Sequence, residues 1–237
     1  MILKIILYAK NTEGDDMRMN ALFAKAQDPI SCHTHAVGAF AALIGGAMML
    51  VRALYTGASA SALAASMSFV LSMIALYSAS AVYHFCPGND AVDSTKRFLR
   101  KMDHGMIYIL IAGSYTPFCM VLLPQPMGTR FCGVLWCIAV AGVIMKLTWL
   151  NAPRLLSTLV YVVMGWSVMF VIGDFAAAGI WCVLLTALGG VCYSVGAVFY
   201  AIKRPNISAE WTFHELFHLL ILAGSFFHYL AVFFCVL

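Results

Sequence analysis

The sequence predicts an all-α integral membrane protein, a seven-transmembrane-helix bundle with its N-terminus inside and its C-terminus outside. Three observations lead there. Of the 237 residues 63% are hydrophobic and only 10% charged, with a mean hydropathy of +0.91. A chain of this size has too little interior to hide so much apolar surface from water, so a bilayer has to be its solvent. The apolar residues fall into seven runs, each near the roughly 20 residues a helix needs to cross about 30 Å of hydrocarbon. Lys and Arg then alternate between rich and poor connections, as the positive-inside rule requires of a multi-pass protein.

The runs cover residues 36–49, 62–85, 105–123, 131–147, 155–173, 180–202 and 213–237. The first extends to Tyr55 if Arg52 snorkels, and Lys146 near the end of the fourth can reach the headgroups in the same way. Residues 28–237 are therefore read as one transmembrane domain joined by short connections. Residues 1–27 are read as a short cytoplasmic segment. Its apolar run at 2–8 is too short to span, and no signal-peptide cleavage pattern follows it. Thr116-Pro117 in the third run predicts a kink.

Orientation follows from the basic residues. Lys4, Lys10, Arg18, Lys25, Lys96, Arg97, Arg100, Lys101, Lys146, Arg154, Lys203 and Arg204 fall on one side, and only Arg52 and Arg130 on the other. That bias puts the N-terminus inside. The net charge of +4 is small and its basic residues scattered, which excludes a nucleic-acid surface. The eight cysteines are dispersed through apolar runs with no CxxC pair, so they read as packing residues rather than disulfides or a thiolate metal site.

Ionisable groups inside a membrane are costly and mark functional sites by default. The second run ends in Ser80-Ala81-Val82-Tyr83-His84, the third begins near Met102-Asp103-His104, and the seventh begins with His214-Glu215-Leu216-Phe217-His218. The end of an even helix and the starts of odd helices share one membrane face. Residues four apart on a helix share a side, about 6 Å apart, so His214 and His218 can serve one ion. His84 is the natural third ligand. Three neutral imidazoles with an open position are the usual arrangement of a catalytic zinc, whereas Mg and Ca prefer all-oxygen sites. Asp103 would be an oxygen partner able to take a proton, and Ser80 could bond the same water or a substrate carbonyl.

Blander readings stand beside this one. The HxxxH pair could be two wetted interfacial histidines, Asp103 could be a helix N-cap, and Ser80 could bond back to its own helix. His214 to His218 also matches the HExxH signature of zinc proteases. The nearest downstream histidine, His228, is ten residues on and about 15 Å deeper, which is wrong for a third ligand. His104 and Glu215 face away from the expected ligand sides. His33 and His35, just before the first run, read as interfacial residues.

These motifs, together with Gly113-Ser114-Tyr115-Thr116-Pro117-Phe118 and Phe226-Phe227-His228-Tyr229, resemble the hemolysin III branch of the progestin and adipoQ receptor family from about Asp28 onward. The resemblance implies that His84, His214 and His218 bind zinc near the cytoplasmic surface and that Asp103 holds the water on that zinc. Adiponectin receptors of the family are associated with ceramide hydrolysis, and ceramidases of the wider superfamily share the serine, aspartate and histidines. A zinc-dependent hydrolase of a lipid amide or ester in a bacterial-type cell membrane is thus implied, with a membrane lipid as substrate or ligand. A non-catalytic zinc-containing sensor and a pore-forming hemolysin are the alternatives.

Overall fold

A computed structural model describes residues 25–237, so most of the segment read as cytoplasmic lies outside the described residues. Seven helices are long and apolar enough to cross a membrane, and no strand occurs among the described residues. They are α1 (Pro29–Thr56), α2 (Ala60–Phe85), α3 (Ser94–Val121), α4 (Met127–Thr148), α5 (Arg154–Ala176), α6 (Ile180–Ile202) and α7 (Phe213–Cys235). In α5, a 3-10 stretch at Trp166–Val171 interrupts the α-helix.

Several helices outrun their apolar stretches, and the caps explain where they start. Pro29 opens α1 seven residues before the first run, at a position where its missing N–H costs nothing. The Asp93 carboxylate caps α3 by accepting from the backbone of Thr95 and Lys96. Charged turns therefore precede the hydrocarbon-like part of α3, and Asp103 lies well inside the helix. Its reading as an N-cap is excluded because Asp93 holds that position. At α7 the Thr212 side chain accepts from His214 N while Glu215 accepts from the Thr212 N–H, a capping box. α3 runs through Pro117, and Thr116 Oγ1 bonds back to Ala112 O and receives the Trp136 indole N–H.

Consecutive helices pack antiparallel, α1 on α2, α2 on α3, α3 on α4 and α6 on α7, and α7 returns against α1 and α3. Glycines permit the closest approaches. A Cβ at Gly38 would come within 2.5 Å of Leu222 on α7, and one at Gly46 within 2.8 Å of Val70 on α2. The closed ring surrounds a cavity of about 180 Å³ with almost wholly apolar walls. It runs from Asp103 and His214 near one face to Leu123 and Phe131 near the other.

Several basic residues at the face carrying His84 and His214 cap helix ends. Lys96 Nζ donates to Tyr83 O and Cys86 O at the end of α2, Lys101 to Leu147 O at the end of α4, and Arg154 to Tyr200 O in the last turn of α6. Each cation thus satisfies carbonyls that a helix C-terminus leaves open and sits at its negative pole. All eight cysteines are free, and Cys32, Cys119, Cys132 and Cys182 are buried.

Candidate metal centre

The caps and the ring closure bring three histidines together. His84 in the last turn of α2 and His214 and His218 in the first turns of α7 place one ring nitrogen each within 4.8 Å of one another. His84 Nε2 and His214 Nε2 are 3.2 Å apart. Bonds of 2.0–2.1 Å at tetrahedral angles put two zinc-bound nitrogens about 3.3 Å apart, so this pair already spans one edge of a tetrahedral site. His84 and His218 are buried, and His218 Nδ1 makes no hydrogen bond. Neutral imidazoles in such a set suit zinc better than a hard cation. The residues present fit the ion.

His84 Nδ1 lies 2.9 Å from Asp28 Oδ2. An Nδ1–H donated to this carboxylate leaves Nε2 as a lone pair facing His214, the tautomer a metal ligand needs. The hydrogen bond from His84 holds the half-buried Asp28 carboxyl below its usual range, against the opposing effect of burial. Backbone bonds keep Asp28 in place, from Asp28 N to His84 O at 3.1 Å and from Gln27 N to Phe85 O at 3.4 Å.

Asp103 is buried and lines the cavity beside His214 and His218. Its carboxyl is near Ser80 and His84, and its Oδ2 is 3.8 Å from His104 Nε2. The Ser80 hydroxyl is buried without a hydrogen-bond partner. An unsatisfied buried hydroxyl costs about 1–3 kcal/mol, and Ser80 also forgoes the back-bond its own helix offers. The hydroxyl does stand beside the Asp103 carboxyl, so the two form a polar pair between α2 and α3 at the centre.

Sequence reasoning missed a wall of this centre. His35 is not interfacial: it lies in α1, 2% exposed, with its ring stacked 3.7 Å from that of His218 at an interplanar angle of 4°. Both of its ring nitrogens are unpartnered. Ser31, also fully buried, donates to Glu215 Oε1 at 2.9 Å. Glu215 thus serves as the α7 cap and as a tie to α1, away from the ligand set, and the HExxH match is one of spelling only. His228 is deeper in α7, with Nε2 3.2 Å from Thr186 O. The legible signal was the spacing of Asp28, Ser31 and His35, polar residues along one side of an otherwise apolar helix.

A histidine cluster at the polar end of an apolar cavity, inside seven membrane-spanning helices, sets the class: a multi-pass membrane protein with a candidate three-histidine metal-binding group. Comparison with known proteins narrows it. The model of the family described as "Haemolysin-III related" matches residues 23–229. The chain is 32% identical to the Hemolysin-3 homolog of Bacillus subtilis (strain 168) over 220 residues, covering 91% of this chain and 95% of that one. It is also 32% identical to Hemolysin-3 of Bacillus cereus over 206 residues, covering 86% and 87%. The human Monocyte to macrophage differentiation factor is 25% identical over 211 residues, covering 85% and 81%. The chain belongs to the haemolysin-III related family, and a bacterial-type cell membrane is the location consistent with it.

Proposed function

We propose that the protein is a zinc-dependent hydrolase that cleaves an amide or ester bond of a membrane lipid. The observation that carries this reading is the junction of the three-histidine group with the apolar cavity, which puts Asp103, His214 and His218 in the cavity wall. A lipid whose acyl chain fills the cavity presents its polar bond to those residues. His84, His214 and His218 would hold the ion, which would supply a Lewis acid and bring the pKa of water to about 7.

The chain's own groups do the rest. Asp103 is placed to accept a proton from the attacking water at its carboxylate and to return it to the leaving amine or alkoxide. The Ser80 hydroxyl, beside Asp103, orients that water or donates to the scissile carbonyl oxygen. The apolar walls exclude bulk water, which strengthens both interactions. Twelve of fourteen basic residues assigned to one side support an N-terminus inside, a C-terminus outside and a centre toward the cytoplasmic leaflet. Protein loaded with zinc in nanodiscs should release fatty acid from ceramide, another N-acyl lipid or an ester. No release from any of them would refute the hydrolase.

A second reading is a non-catalytic sensor of membrane lipid state, favoured by the way the cluster ties α1, α2 and α7 together. In a sensor Asp103→Ala would behave like wild type. The name of the Bacillus cereus relative, Hemolysin-3, brings in haemolysis, and lysis by a pore would appear as bilayer conductance that survives zinc removal.

A further inference from the structure

Asp28, Ser31 and His35 follow one another at i, i+3 and i+7, so they fall along one side of the first two turns of α1. Each meets a different part of the metal centre. Asp28 Oδ2 meets His84 Nδ1 at 2.9 Å, Ser31 Oγ meets Glu215 Oε1 at 2.9 Å, next in sequence to His214, and the His35 ring lies flat on that of His218. Tyr77, with its ring 5.1 Å away, packs against the His35 ring as well.

We propose that this side of α1 is a positioning wall for the centre: Asp28 sets the tautomer and aim of His84, Ser31 anchors the start of α7 through Glu215, and His35 fixes the plane of His218. The inference rests on the metal reading above but adds three residues outside the ligand set. The physical reason is general. Imidazole ligands need an outer partner to fix ring orientation and tautomer, and loss of such partners typically weakens metal binding by about 10–100-fold. Here the partners come from one helix that carries no ligand, so docking of residues 27–35 and occupancy of the centre favour each other reciprocally. His35 acts by stacking, and its two ring nitrogens remain outside the ligand set.

The test is zinc and cobalt(II) affinity of the full chain in detergent, measured against a chromophoric chelator. Asp28→Ala should weaken binding by roughly 10–100-fold. His35→Leu should weaken it less, Ser31→Ala least, and His35→Phe, which keeps a flat ring over His218, should restore wild-type affinity. Thr56→Ala at the far end of α1 should change nothing. At saturating cobalt, the d–d absorption of Asp28→Ala should shift because ligand geometry changes. A variant that merely damages folding would lower the metal-free melting temperature and leave that spectrum as in wild type, which would overturn the proposal. So would wild-type affinity in both Asp28→Ala and His35→Leu. Metal loss in His35→Phe as complete as in His84→Ala would make His35 a ligand and also refute the wall. Wild-type protein that takes up no metal would overturn the metal reading itself, whatever the variants do.

Discussion

The two ends of the bundle treat polar groups differently. At the end holding His84 and His214, polar side chains reach across helices: Asp28 to His84, Ser31 to Glu215, Lys96 to the α2 carbonyls. His218 Nδ1 and both ring nitrogens of His35 make no hydrogen bond. At the opposite end polar side chains mostly bond within their own helix, as Ser66 does to Ala62 O and Thr56 to Arg52 O. Aromatic packing dominates there, with Phe118 edge-on to Phe175 and the Arg52 guanidinium 4.7 Å from the Phe233 ring centre. A serine or threonine that bonds back to its helix has been made inert to a membrane. Unpartnered buried atoms also occur elsewhere, Arg52 Nε and Thr186 Oγ1 among them, so what separates the site from scaffolding is the convergence of His35, His84, His214, His218 and Asp103 at one end.

This contrast predicts a gradient of effects. The largest belongs to the ligands: His218→Ala should abolish metal retention and activity together, checked by elemental analysis and fatty-acid release. Asp103→Ala should keep the metal and lower turnover by about 10²–10⁴-fold, the usual contribution of a general base. Equal activity in wild type and Asp103→Ala would move the centre from chemistry to structure. Lys96→Met leaves the carbonyls at the end of α2 unsatisfied, which should cost about 1–3 kcal/mol and loosen the turn carrying His84. Thr212→Ala, which removes the α7 cap, should cost about 1 kcal/mol in thermal unfolding. Ser66→Ala at the opposite end should cost about 1 kcal/mol or less, since the carbonyl of Ala62 that the hydroxyl bonds is also served by the helix backbone. A larger cost for Ser66→Ala than for Thr212→Ala would break the comparison.

Much of this was legible in the sequence, and the failures share a cause. Seven spans were readable because hydropathy reports the hydrocarbon directly. The same measure is blind to helix in the polar interface, so α3 was started near Asp103 instead of at Ser94, and α1 at Ala36 instead of at Pro29. That error hid the wall. With α1 begun too late, His35 fell outside the bundle and Asp28 and Ser31 had no helix to share. His84, His214 and His218 were legible as a group because topology alone sets their depth. The 3-10 interruption of α5 at Trp166–Val171 directly follows Gly165, a local signal that hydropathy does not register.

The central claim is that three imidazoles hold a zinc ion between α2 and α7. X-ray absorption at the zinc edge of purified, zinc-loaded protein tests it most directly. Three ligating imidazoles predict a first shell of nitrogen or oxygen at about 2.0–2.1 Å with outer scattering from three imidazoles, and a His84→Ala variant that retains no zinc. A first shell containing sulfur at about 2.3 Å, or a wild-type spectrum unchanged by His84→Ala, would contradict it.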